Sequence, residues 1–273
     1  LGVYTIVKPA ADYGWGAGRT LALGAVAVAL LVAFVAREAT ARNPLMPLRI
    51  FRSRNVSGAN TVQALLVAGM FGMFFLGSLY LEQVLGYDPL EIGLAFLPAT
   101  IVMGILSLRY SELLIMRFGA RTLLFPGMVL IVIGLVLFSL APVDGSYVRN
   151  VLPVMLLLGL GIGVSFPALM TLAMSGATQA DAGLASGLVN TTAQVGGALG
   201  LAVLATLSAT RSDNLIEDGE ATASALTSGY HLAFLIGAGL VVAAIVVALV
   251  VLESKPQAED EVAPEGAGYS EAA

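Results

Sequence analysis

The stretch YHLAFLIGAGLVVAAIVVALVVL, Tyr230 to Leu252, runs 23 residues without an Asp, Glu, Lys or Arg. A helix needs roughly 20 apolar residues to cross the hydrocarbon core of a bilayer. Working outward, six more blocks share this character: Thr20–Ala36, Ser57–Leu81, Ile92–Arg109, Thr122–Ala141, Val151–Ser175 and Gly183–Ala209. Of the 273 residues 58% are apolar and 11% charged, with mean hydropathy +0.91. A soluble domain carries about 25% charged residues, so these charges could not cover the surfaces of two soluble domains. The sequence describes an all-α polytopic membrane protein.

Composition also closes off several functions. The net charge of −5 is concentrated outside the apolar blocks, and Glu253, Glu259, Asp260, Glu261, Glu265 and Glu271 alone make residues 253–273 an acidic tail. No basic stripe is present to follow nucleic acid. The absence of cysteine excludes disulfides and thiolate-bound metals, and the single histidine excludes a histidine metal cluster. No metal and no cofactor is therefore expected. An intramembrane serine protease would need Ser and His together, yet Ser186 and His231 fall at opposite faces of a core roughly 30 Å thick. A retinal protein would need a buried lysine, and Lys8 and Lys255 both lie outside the blocks. The opening residues Leu1–Val7 lack the cationic start of a signal peptide and read as the end of a helix that begins earlier.

Arginine and lysine set the orientation. With the first block running inward, nine cationic residues lie inside (Arg37, Arg42, Arg49, Arg52, Arg54, Arg109, Arg117, Arg121, Lys255) and four outside (Lys8, Arg19, Arg149, Arg211). Tyr13, Trp15, Tyr80, Tyr87, Tyr147 and Tyr230 then share the outer interface, and the C-terminus is cytoplasmic. Arg211–Gly229 reads as a polar connection. The blocks starting at Thr20, Thr122 and Tyr230 are almost purely aliphatic and can face lipid all round. The other four carry Gly, Pro and amide side chains, which suit contact with protein or a cavity. Glu91-Ile92-Gly93-Leu94-Ala95 and Asp181-Ala182-Gly183-Leu184-Ala185 open two blocks in the same way, which suggests inverted three-helix repeats.

Longer motifs narrow this further. They are Asn43-Pro44-Leu45-Met46-Pro47-Leu48, Tyr80-Leu81-Glu82-Gln83-Val84-Leu85-Gly86-Tyr87, Arg117-Phe118-Gly119-Ala120-Arg121, and Gly187-Leu188-Val189-Asn190-Thr191-Thr192 followed by Gln194-Val195-Gly196-Gly197. On these the chain resembles the C-terminal half of a major facilitator superfamily transporter of the fourteen-span drug:proton antiporter type. The resemblance implies a six-helix C-terminal bundle over 57–252 with an inverted 3+3 repeat. One or two linker helices over 1–56 would precede it, and the disordered acidic tail 253–273 would follow. It implies efflux of drugs or other small molecules by alternating access in the plasma membrane, with protons, the small-molecule substrate, the lipid bilayer and an N-terminal half as partners. A stand-alone seven-span half-transporter that dimerises, or a receptor-like membrane protein, are the alternatives.

Several polar residues stand out against the apolar background. Asn60 and Gln63 lie one turn apart near the inner end of their block, where they either contact substrate or sit in water at headgroup level. Asn190, Thr191 and Gln194 share a helix face and either flank the path or bond to a neighbouring helix. Glu82 is a candidate acid at the outer mouth. Arg117, Gly119 and Arg121 form a candidate cytoplasmic gating loop, although Met116 stands where the family often has an Asp. Pro167 removes a backbone donor and frees a carbonyl one turn earlier. No charge lies in the middle of any block, so the proton-coupling carboxylate is expected outside this chain.

Overall fold

The computed structural model describes residues 4–5, 16–41, 48–178 and 181–252. The Asn43–Pro47 motif and the acidic tail 253–273 lie outside the described residues. Seven helices are long and apolar enough to cross a membrane: α1 Gly18–Thr40, α2 Arg54–Val84, α3 Pro89–Phe118, α4 Ala120–Phe138, α5 Tyr147–Ser175, α6 Ala182–Glu217 and α7 Thr222–Val251. Together they make an all-α polytopic membrane protein. One end of the bundle gathers Arg49, Arg52, Arg54, Arg117 and Arg121, the other Tyr80, Tyr87, Tyr147 and Tyr230. Among the described residues the deepest charge is Arg109, which is exposed and nine residues short of the arginine end of α3.

Local chemistry sets the helix ends. Ser53 caps α2 by accepting the Val56 N–H at 3.4 Å. Asp88 and Glu91 form a reciprocal capping box at the start of α3 (2.8 and 3.0 Å), with Pro89 at its first position. Gly119, at φ 82°, is the whole connection between α3 and α4. The expected loop over Arg117–Arg121 is therefore a single-residue joint. Arg211–Gly229 also departs from expectation. The helix continues to Glu217 and turns at Gly219, φ 89°, because no residue before that glycine forbids helical backbone.

The helices pair in a repeated pattern. α2 packs on α6 and α7, while α5 packs on α3 and α4; α2 also meets α5, and α4 meets α7. Exchanging α2, α3, α4 with α5, α6, α7 maps these pairs onto one another. The close crossings fall on the same exchanged helix pairs, though in the α3–α5 pair the glycines sit on the opposite partner. A Cβ on Gly69 would lie 2.6 Å from the Gly237 carbonyl of α7, and one on Gly161 would lie 2.6 Å from the Gly127 carbonyl of α4. Gly196 and Gly200 of α6 ride on Ala64 and Ala68 of α2, while Gly159 and Gly163 of α5 ride on Ala99 and Met103 of α3. Lipid tails give no hydrophobic drive for association, so this closeness supplies the dispersion contact that holds the helices together.

Burial corrects the sorting by polarity. Of the aliphatic helices only α1 is exposed nearly all round, burying Thr20 and Glu38 alone. α4 and α7 each bury a stripe, in α7 through Ala233, Gly237, Ala244 and Ala248. α3 buries just Ala95 and Ala99, despite its glycines and proline. Small residues decide which aliphatic helix face can be packed closely, and sequence polarity does not register that.

The two ends are fastened differently. At the tyrosine end, Tyr80 donates to the Pro142 carbonyl (2.6 Å) and His231 Nε2 sits 2.8 Å from the Ala141 carbonyl, so α2 and α7 grip consecutive carbonyls of the α4–α5 turn. Phe138 stacks on Phe234 at 4.6 Å between them. At the arginine end, Arg121 and Arg54 donate to the Leu249 and Val250 carbonyls at 3.2 and 3.3 Å, placing cations at the C-terminus of α7.

Candidate functional site

A cavity of about 320 Å³ opens between four helices in the arginine half of the bundle. Gln63 enters from α2, Ser107 from α3, Phe166, Pro167 and Met170 from α5, and Val189, Asn190 and Ala193 from α6. Gln63 is nine residues beyond Arg54, or about 14 Å along the helix axis at 1.5 Å per residue. Among the described residues no lining side chain is ionisable.

Two helices are irregular at this level. α3 widens into a π-helical turn over Leu106–Tyr110, which carries Ser107. Such insertions recur at functional sites because they re-aim side chains that a regular helix would bury. In α5, Pro167 has no N–H to give the Gly163 carbonyl. The Ser107 hydroxyl lies 3.3 Å from that freed oxygen and donates to it. The carbonyl expected from Pro167 thus finds its partner on α3, and the two irregular segments are joined across the cavity wall.

Gln63 is the most telling group. It is 4% exposed, lines the cavity, and makes no hydrogen bond among the described residues. The fully buried unpartnered side-chain atoms among the described residues are Arg121 Nε and Ser165 Oγ, so the Gln63 amide instead opens onto the cavity, where a ligand or water can bond it. Asn60, 6% exposed, is bonded instead: it donates to Val56 O at 2.8 Å and accepts from Thr192 Oγ1 at 2.9 Å. Both amides are buried against neighbouring helices rather than exposed on the bundle surface. The Thr192 bond links α2 to α6 and escaped the sequence reading, because an isolated helical Thr ordinarily bonds its own backbone.

The remaining candidates lie apart from the cavity or at its rim. Asn190 and Thr191 donate to the Ser186 and Gly187 carbonyls of their own helix (3.1 and 2.9 Å). Asn190 still reaches the cavity, but Gln194 is exposed on the same face of α6. Gly183 and Gly187 have no atom near their missing side chains, so that face has no neighbour among the described residues. Glu82 is exposed in a π-helical turn at the tyrosine end. Arg117 lies over the Phe118 ring at 5.5 Å, and Arg121 is committed to capping α7.

A second recess at the arginine end is closed by an ion pair. Arg49, in the 3₁₀ turn Leu48–Arg52, meets Asp181 at 3.2 Å, and Thr178 donates to the other Asp181 oxygen at 2.9 Å. The Thr178 hydroxyl outweighs partial desolvation and, with Arg49, holds the Asp181 carboxyl below its ordinary value. Beneath it Ile50, Val56 and Ala185 form a small apolar cluster.

Two pseudo-equivalent triplets of membrane-length helices, with an uncharged cavity where the first and second helices of each meet, define a polytopic membrane protein of inverted-repeat architecture. The Major Facilitator Superfamily model matches residues 9–201, and the chain belongs to that family of transporters. It is 32% identical over 257 residues to the puromycin resistance protein pur8 of Streptomyces alboniger, covering 92% of this chain and 51% of that one. It is 36% identical over 223 residues to the tetracenomycin C resistance and export protein of Streptomyces glaucescens (81% and 41%). The cephamycin export protein CmcT of Amycolatopsis lactamdurans is 36% identical over 197 residues (72% and 40%). The chain spans about half the length, or less, of these curated relatives.

Proposed function

We propose that this chain supplies the C-terminal half of a fourteen-span drug:proton antiporter that exports an antibiotic or related small molecule by alternating access. The observation that carries the reading is the cavity, where the unpartnered Gln63 amide faces a space framed by two irregular helices. The names of the relatives, which speak of resistance and export, support it. On this reading residues 57–252 are the C-terminal bundle, with 1–56 a linker region and 253–273 a cytoplasmic tail. The arginine end faces the cytoplasm of a cell bounded by this plasma membrane.

Asn190, Thr191 and Gln194 present the open face of α6 to the N-terminal half. Glu82 marks the outer mouth, and Arg117, Gly119 and Arg121 the cytoplasmic joint. Proton coupling needs a titratable group that both sides of the membrane reach in turn. The described spans of this chain offer none at mid-depth, so that group belongs to the other half. Purified residues 1–273 in liposomes are expected to move no puromycin, tetracenomycin C or cephamycin when a pH gradient is imposed. Joined to its N-terminal half in a sensitive host, the chain is expected to protect against at least one of them. Gradient-driven export by the chain alone, or no protection by the joined protein, would sink the proposal.

A further inference from the structure

We infer that the cavity takes its ligand in uncharged form and that Gln63 sets this selectivity, a conclusion that rests on the cavity being a ligand site. Three groups on its walls can bond a ligand. The Gln63 carboxamide lines the cavity with no hydrogen bond among the described residues, Asn190 Oδ1 is free because only its Nδ2 is committed to Ser186, and Ser107 keeps its lone pairs while donating to Gly163. The rest of the wall is Phe166, Met170, Val189 and small residues.

The charge balance of this set is decisive. Among the described residues no carboxylate lines the cavity to pair with a cation, and no Arg or Lys lines it to pair with an anion. Arg109, two residues beyond Ser107, is exposed rather than part of the lining. An ion entering would lose its water without gaining a counter-charge, whereas a carboxamide or hydroxyl-bearing apolar molecule exchanges one set of hydrogen bonds for another. Gln63 offers both a donor and an acceptor, so a ligand with both satisfies it fully. Glutamate has the same shape as this residue, and would turn the same cavity toward cations.

Benzamide and benzamidinium share one planar outline and differ in charge, and both fit well within about 320 Å³. Binding of each to residues 1–273 in lipid nanodiscs at neutral pH, followed by saturation-transfer NMR titration, separates the possibilities. Wild type is expected to prefer benzamide by about tenfold or more, because benzamidinium gives up its water without gaining a counter-charge. Gln63→Leu is expected to lose benzamide binding, and Gln63→Glu to reverse the preference. The thermal midpoint of each variant shows that it is folded. Equal binding of the two probes by wild type, or an unchanged ratio in Gln63→Glu, overturns the selectivity while leaving the site. Benzamide binding untouched by Gln63→Leu places the ligand elsewhere and overturns the role of Gln63. Failure of wild type to bind either probe overturns both the inference and the site.

Discussion

Thr192 and Asn60 show what one hydrogen bond does in a helix pair that lipid does not push together. The hydroxyl spans from α6 to α2 and satisfies a carboxamide that is otherwise buried. Thr192→Val keeps the shape and removes the bond. The expected loss is about 0.6–1.7 kcal/mol, the measured range for such bonds in membrane proteins. A double-mutant cycle with Asn60→Ala, read by unfolding in a denaturing detergent, isolates it, and a coupling near zero would mean that the two groups meet without holding. Asn60 and Gln63 were visible as rare amides in an apolar run, but nothing in the sequence distinguishes the bonded one from the free one. That difference depends on the rotation of α6 against α2, which brings Thr192 to Asn60 and leaves Gln63 facing the cavity.

Between elements, glycine carbonyls set the distances. Gly69→Ala and Gly161→Ala would each press a methyl group onto backbone that cannot move aside, as flexible side chains could. Each is expected to destabilise the bundle by about 1–3 kcal/mol, as overpacking does. Gly93→Ala meets nothing within 4 Å and is expected to be neutral, or to gain up to about 1 kcal/mol from helix propensity. Unfolding midpoints of the three variants test the contrast. These pairs escaped the sequence reading because Gly69 and Gly127 stand in no small-xxx-small spacing, and each meets a glycine on another helix. Helix existence was legible because hydropathy marks what can cross lipid. Helix ends were less so, since Arg211–Glu217 is polar yet contains nothing that stops a helix. The Arg49–Asp181 tie adds a pH dependence at a turn. With its folded value depressed, Asp181 contributes fully above the ordinary 3.8 and loses that contribution as pH falls through the lower folded value. Acid unfolding of Asp181→Asn is expected to lack this component, and identical acid profiles for variant and wild type would remove the tie from the account.

Across the whole molecule, the exchange of α2–α4 with α5–α7 was anticipated from two short matching segments at Glu91 and Asp181. The structure makes them unequal, because Glu91 closes a capping box whereas Asp181 serves an ion pair and caps nothing with its side chain. The symmetry lives instead in the paired crossings Gly69–Gly237 and Gly161–Gly127. The unpartnered faces of α3 and α6 extend the same argument to assembly. If the N-terminal half covers them, Gly93→Ala and Gly187→Ala are expected to be harmless in residues 1–273 and costly in the joined transporter. Thermal shifts of both forms measure this, and equal shifts in the two would place the other half elsewhere.

The distribution of charge along the bundle has an electrical meaning. A formal charge carried through the full membrane field is worth about 2.3 kcal/mol per 100 mV. In the described spans, formal charges gather toward the ends, Arg109 is the deepest, and α7 carries none. A small rocking of these helices would therefore carry little of their own charge through the field. If the chain rocks as proposed above, that step is close to electrically silent. On that proposal, any steep voltage dependence of transport would come from the cargo, from a coupling ion, or from charges lying outside these spans.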